Sequence, residues 1–471
     1  MSRNRGFGNI APNRFPDGGC MDAVFLARAQ FALTAGFHFI FPPITIGLSL
    51  LIAIIETLRW RTGKEIWTKL SDFWLKIFAV NFVVGVATGI VMEFQFGTNW
   101  ASYSRFVGDI FGAPLAAEGV LAFFLESGFL GLLLLGRRRI SSTVRWLSAI
   151  MVWFGSTLSG FWIIVANSWM QTPAGFRIAN GRAELTDFWA AVFNPSTIQR
   201  YTHTVMSAWV TGAFLMAGVA AWYVLKGRTS EVARVSLKMG VVAAFVSTVL
   251  VFATGDRHAK QVARTQEAKF AAIEGLYSTE KGAPLILFSL PPTQEGPRPS
   301  PELAITKLTS FLAFGNFQQA VKGLRDFPKE EWPPIAVTFL AFHNMVILGN
   351  VMLLLSLFGV VLLWRKRQEA SRKWLWLMVL AVPVPHLAMQ LGWATAEVGR
   401  QPWIVYGVLR TKDAVSKSVQ APELVFSLAL FSVIYFSLFV LWIALLKKEI
   451  QHGPEALDLG PAQSARWTKE A

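Results

Sequence analysis

The chain has 471 residues, of which 53% are hydrophobic and only 15% charged, and it carries a formal net charge of +15. Length alone would give about three soluble domains, but the long apolar runs place most of the chain in lipid. The basic surplus falls in short clusters between those runs, so membrane topology accounts for it and nucleic-acid binding is not expected. The single cysteine, Cys20, excludes an internal disulfide, a thiolate iron–sulfur centre and covalent c-type haem attachment.

Residues 1–27 read as a polar, Pro/Gly-rich N-terminal tail without the apolar core of a secretory signal, and Met21 stands as an alternative start. A helix needs about twenty apolar residues to cross a bilayer. Nine stretches qualify: 28–57, 74–96, 113–135, 146–169, 203–225, 236–255, 335–364, 374–396 and 422–446. The reading is an all-α polytopic bundle, with six spans in 28–255, a long polar segment at 256–334, three spans in 335–446 and a tail at 447–471. Alternate connections hold the basic clusters: Arg59, Arg61, Lys64 and Lys69; Arg137, Arg138 and Arg139; Lys226, Arg228 and Arg234; Arg365, Lys366, Arg367, Arg372 and Lys373; Lys447 and Lys448. The positive-inside rule puts these in the cytoplasm, with the C-terminus, and puts the N-terminus outside. The 256–334 segment is then extracytoplasmic, rich in proline (Pro291, Pro292, Pro297, Pro299, Pro301) and too polar to span.

Ionisable and metal-binding side chains inside spans are costly, which makes each a functional hypothesis. His38, Glu118, His203, Met345 and Glu397 fall at a shared depth in the outer half, with Glu126 two turns deeper than Glu118. Imidazole, thioether and carboxylate are all haem-iron donors. Taken singly, a buried His is more often a packing residue, and Met345, one of twelve methionines, is more often core. The carboxyls are harder to dismiss. Glu118 and Glu126, eight residues apart, share a helix face suited to a ligand or a proton relay.

Several runs carry a family resemblance: QFALTAGFHF from Gln30, GVATGIVMEFQFGTNW from Gly85, GDIFGAPLAAEGVLAFFLES from Gly108, VANSWMQ from Val165, His203-Thr204-Val205, and GRQPW from Gly399. Together they resemble subunit I of cytochrome bd-type quinol oxidases over nearly the whole chain from Met21 to about residue 446. The resemblance implies a haem-bearing subunit of a quinol:oxygen oxidoreductase in the bacterial inner membrane. His203 and Met345 match the ligands of a low-spin haem b. His38, Glu118 and Glu397 match positions around two high-spin haems, a second b and a d-type haem or a third b, with the assignment open. Arg400 fits a haem-carboxylate role, since guanidinium pairs carboxylates through two parallel bonds; a helix-end arginine reaching for water is the alternative. Lys269 and Glu274 match quinol-binding residues of the loop, here of the short type, although the residues alone read as a solvated helix face. Glu126, Ser127 and Ser156 match a proton path from the cytoplasm that ends at Glu118. The family pairs this subunit with a haem-free membrane subunit II and sometimes with a single-helix small subunit.

One departure stands out. The family often has Arg two residues before the ligand Met, where this chain has His343. Positions two apart face different ways on a helix. His343 therefore either covers a haem propionate while Met345 ligates, or replaces Met345 as the ligand. His386 is expected to pack among the kinks at Pro383 and Pro385, and His258 and His452 to face solvent. The rivals are a secondary transporter or channel using the buried carboxyls, an electron-transfer subunit that does not bind oxygen, and a structural subunit.

Overall fold

The computed structural model describes residues 22–136, 139–296 and 303–454. Most of the two tails, with Cys20 and Met21, and also Arg137, Arg138, Pro297, Pro299 and Pro301, lie outside the described residues. In chain order the helices are α1 (Ala23–His38), α2 (Phe41–Thr62), α3 (Glu65–Thr98), α4 (Ala101–Ala117), α5 (Phe124–Leu135), α6 (Ser142–Gln171), α7 (Phe188–Val192), α8 (Thr197–Leu225), α9 (Glu231–Thr265), α10 (Glu267–Glu274), α11 (Leu308–Phe314), α12 (Ile335–Trp364), α13 (Arg372–Leu380), α14 (Val384–Val398), α15 (Thr411–Ala414) and α16 (Ala421–His452). Among the described residues nine helical stretches are long and apolar enough to cross a membrane, as the sequence predicts. The strands are short antiparallel pairs in the connections.

Most spans outrun the apolar windows that mark them. The third begins at Ala101 rather than 113, and the sixth runs to Thr265 rather than 255. Capping, not hydrophobicity, fixes several of these ends. Asp22, Ser141 and Ser230 each accept a backbone N–H of the first turn, and Gln420 and Glu423 form a reciprocal capping box on α16.

Three spans are interrupted, and each break has a chemical cause. Pro42 and Pro43 open α2, where the missing N–H costs little, and the break before them leaves His38 at the end of α1. Pro383 and Pro385 separate α13 from α14, which puts His386 in the first turn of α14. In the third span Pro114 lies inside α4, and a π-helical turn follows at Glu118–Phe123. Such turns recur at functional sites.

Side-chain contacts define the two ends of the bundle. At one, which carries the basic connections, Arg59 and Trp60 reach Ser142 and Thr143, and Tyr223 and Arg228 reach the carbonyls of Ile450 and Gln451. Just inside this end is a buried cluster of paired charges. Arg145 donates to Glu56 at 2.9 Å and to Asp72 at 2.9 Å, while Arg59 holds the other oxygen of Glu56 at 2.5 Å. The opposite end carries the 266–334 segment.

The centre of the bundle is α8, with 83% of its apolar window buried against 11% for α16. Helices α2 and α8 meet backbone to backbone through Gly47 and Gly212. A Cβ on Gly47 would lie 2.3 Å from the Ala208 carbonyl, and one on Gly212 would lie 2.4 Å from the Gly47 carbonyl carbon. Small residues permit this approach in lipid. Gly212→Val is expected to destabilise the bundle by at least the ~1–3 kcal/mol of an overpacked core, read as a lower thermal midpoint in detergent; an unchanged midpoint would show that the contact can yield.

Candidate functional site

The expected site residues fall into three groups. In the first, three donors each rest against a glycine of a neighbouring helix. His38 Nδ1 lies 3.0 Å from the Thr88 hydroxyl, and a Cβ on Gly89 would come within 3.2 Å of its ring. His203, near the start of α8, lies 3.4 Å from the Thr254 hydroxyl, and a Cβ on Gly255 would come within 3.1 Å of its ring. The Met345 sulfur would lie 2.9 Å from a Cβ on Gly392. Glycine keeps all three contacts close without displacing the donor. The expected single layer is loosened, however: because α4 begins at Ala101, Glu118 lies more than four turns from the loop end, deeper than His203 and Glu397.

The second group is the carboxyl pair. Positions eight apart on an ideal α-helix are offset by about 80°, and the wider π turn between Glu118 and Phe123 takes up part of that offset. Both carboxyls meet α6: Ser159 donates to Glu118 at 2.9 Å and Ser156 to Glu126 at 2.5 Å. Ser127 does not join them, since its hydroxyl donates to the Phe123 carbonyl of its own helix at 2.8 Å.

The third group is a polar network that crosses from the loop into the bundle. Arg400 is 3% exposed, so it does not reach for water, and it donates to Glu397 at 2.5 Å. The other Glu397 oxygen accepts from Asn167 at 3.0 Å and from Gln171 at 3.3 Å. Gln171 Oε1 in turn accepts from Lys269 at 2.5 Å and from Gln266 at 3.0 Å. Lys269 and Glu274 are 3% and 4% exposed, which overturns the solvated-face reading of α10. Burial, with the Arg200 and Arg400 guanidiniums nearby, pushes the Lys269 ammonium well below the ordinary lysine range. Burial likewise raises the Glu274 carboxyl to about 7, against the opposing pull of the Thr309 hydroxyl that donates to it at 3.0 Å.

His343 Nδ1 lies 2.9 Å from the Phe339 carbonyl and Nε2 lies 3.0 Å from that of Ile286; a neutral imidazole donates to one of the two, which seats the side chain between the loop and α12. His258 does not face solvent either, because it lies half-buried with its ring 5.8 Å from that of His203. The sequence reading missed Arg200, Ser159 and Gln266. Arg200 carried a signal, being a basic residue one turn before His203 near the start of the fifth span.

No group of three or more His, Cys, Asp or Glu side chains gathers at one point among the described residues. Two buried guanidinium nitrogens, Arg200 Nε and Arg400 Nη1, also lack a partner there, as groups awaiting carboxylates would. A family model described as cytochrome bd terminal oxidase subunit I matches residues 26–454. The chain belongs to that family. Cytochrome bd ubiquinol oxidase subunit 1 of Bacillus subtilis is 40% identical over 92% of this chain and 95% of its own length. Cytochrome bd-II ubiquinol oxidase subunit 1 of Escherichia coli is 36% identical over 93% of this chain and 98% of its own. The structure of bd oxidase from Geobacillus thermodenitrificans superposes with a TM-score of 0.86 at 30% identity, covering 92% of this chain and 99% of that one. As a cytochrome bd subunit I, the chain is part of a multi-pass membrane oxidoreductase of electron transport, and haem is its family's cofactor.

Proposed function

We propose that this chain is the haem-bearing subunit of a quinol:oxygen oxidoreductase that oxidises quinol at the 256–334 loop on the outer face and reduces oxygen to water inside the bundle. The observation that carries the reading is the continuous network from Lys269 on the loop through Gln171 to Glu397 and Arg400. It joins a polar ligand site to a buried donor of the kind haem iron accepts.

His203 and Met345 would hold a low-spin haem b, and His38, Glu118 and Glu397 the two high-spin haems, a second b and a d or a third b. Bound there, the haems would supply one-electron carriers and an iron able to take oxygen. Arg400 pairs with a haem carboxylate. On the loop, Lys269 donates to a quinol oxygen and Glu274 accepts a proton, so that quinol leaves as quinone with two protons and two electrons released. Four such electrons and four protons convert one oxygen molecule to two waters. Ser156–Glu126 and Ser159–Glu118 form two proton stations along α6, with Glu118 nearer the loop end. The basic connections, at the end away from the loop, support a cytoplasmic source for these protons. Protons released outside and consumed from inside then separate one charge per electron without a pump. The reading extends to a bacterial inner membrane and to pairing with subunit II, with or without a single-helix small subunit.

The Glu274 value sets a pH dependence. Its carboxylate, the form that accepts a proton, fills as pH rises through about 7, so quinol oxidation should rise between pH 6 and 8 in the native complex. Glu274→Gln should be slower and flat over that range; a variant that kept the native rise would remove Glu274 from the role.

The test of the function as a whole is a dithionite-reduced minus oxidised spectrum of the purified complex, repeated under carbon monoxide. A low-spin b band with a red-shifted chlorin band that responds to carbon monoxide supports the bd form, and a carbon-monoxide response without the chlorin band supports the all-b form. A colourless intact complex would favour a transporter, and haem bands indifferent to carbon monoxide would favour an electron-transfer subunit.

A further inference from the structure

At the loop end two guanidiniums meet one carboxylate. Arg400 and Arg200 flank Glu397, Arg400 at 2.5 Å and Arg200 at 3.9 Å. Arg200 is 8% exposed, and its Nη2 also donates to Asn167. Its Nε has no partner among the described residues. Guanidinium does not give up its proton in proteins, so this cluster keeps a surplus positive charge in a dry setting, and an anion with two oxygens would complete it. The location of Arg200 sets it apart from Arg400. It stands one turn before His203 on α8, on the same helix face, while its head group reaches Glu397 on α14. One fixed charge is thereby tied to both candidate haem sites.

We propose that Arg200 is shared between the low-spin and the high-spin site: its unpaired Nε takes a haem carboxylate, its Nη2 edge steadies Asn167 and Glu397, and its charge favours the reduced state at both irons. This rests on the reading of His203 and Glu397 as haem ligands given above. The physical basis is that an electron added to either iron is attracted by a nearby positive charge that neither titrates nor is screened by water. Arg200 is a positioning residue in this scheme, since it acts on the irons through carboxylates and field.

The experiment is a haem-by-haem spectroelectrochemical titration of the full membrane complex, native and with Arg200→Gln or Arg200→Lys, after haem content has been matched. In Arg200→Gln the low-spin haem and the Glu397-side high-spin haem should both become harder to reduce, each by about tenfold in the oxidised-to-reduced ratio, or about 59 mV for one electron. Arg200→Lys keeps the charge and should recover most of both shifts. A shift at one haem alone, or at neither, overturns the sharing. If Arg200→Gln does not assemble, native complex labelled with 13C-guanidino arginine decides the matter by infrared redox difference spectra. A guanidinium band that moves at both haem transitions and is lost in Arg200→Lys supports the proposal, and a band that moves at only one, or none at all, refutes it. Failure of the ligand reading looks different, because a low-spin band would then survive replacement of His203 by alanine.

Discussion

Replacing His203 with alanine is expected to abolish the low-spin haem band and to lower quinol oxidation by more than about a hundredfold, since even outer-shell partners of a metal ligand are worth tens- to a hundredfold. The imidazole lies against Gly255, where a Cβ would come within 3.1 Å of its ring, and alanine at 203 would leave that space without a nitrogen donor. Met345→Leu should have nearly the same effect, because leucine keeps the volume and loses the sulfur donor. His343→Ala should keep the low-spin band, as the imidazole lies between the carbonyls of Phe339 and Ile286. Reduced-minus-oxidised spectra of the three variants settle the ligand pair. A low-spin band that survives Met345→Leu and vanishes in His343→Ala would reverse the assignment and make the haem bis-histidine.

The second large effect is expected at Glu126. Glu126→Gln preserves shape and can still accept from Ser156, yet an amide cannot relay a proton, so oxygen reduction should slow by about 10²–10⁴-fold, the usual worth of a positioned acid–base group. Haem content should stay native, and the haems should stand more reduced during turnover because electrons arrive faster than protons. Ser156→Ala removes one hydrogen bond of 2.5 Å and leaves the carboxyl in place, so its effect should be much smaller. Oxygen uptake with excess quinol, recorded together with haem absorbance, provides both readouts. Near-native turnover in Glu126→Gln would rule out this path and direct attention to other polar residues of the bundle.

The spans were legible in the sequence because lipid demands long apolar runs, and the seventh, 335–364, coincides with α12 end for end. Their ends were less so. The stretch 101–112 mixes Ser, Tyr, Arg and Asp with apolar residues and fell outside the third window, although it continues the helix. The candidate donors were named from residue type, depth and family resemblance, whereas their environments depend on contacts between distant segments. Lys269 meets Gln171, and Glu397 meets Asn167, across gaps that no local periodicity registers. For the same reason α10 looked solvated: its charges are buried only once α9 and α12 close around it. His343 is the sharpest case, because its partner Ile286 belongs to a strand of the loop whose pairing could not be read from the sequence.

The charge cluster at the basic end acquires a meaning when set beside the loop end. Among the described residues Glu56 and Asp72 are paired with Arg59 and Arg145, and that knot of ion pairs stiffens the junction of α2, α3 and α6. At the other end, among the described residues, Arg200 and Arg400 face the one carboxylate of Glu397, with Lys269 close by. The interior of the protein is thus polarised along the membrane normal, like a cell with one live terminal. A mobile negative charge is held more favourably at the loop end than at the basic end.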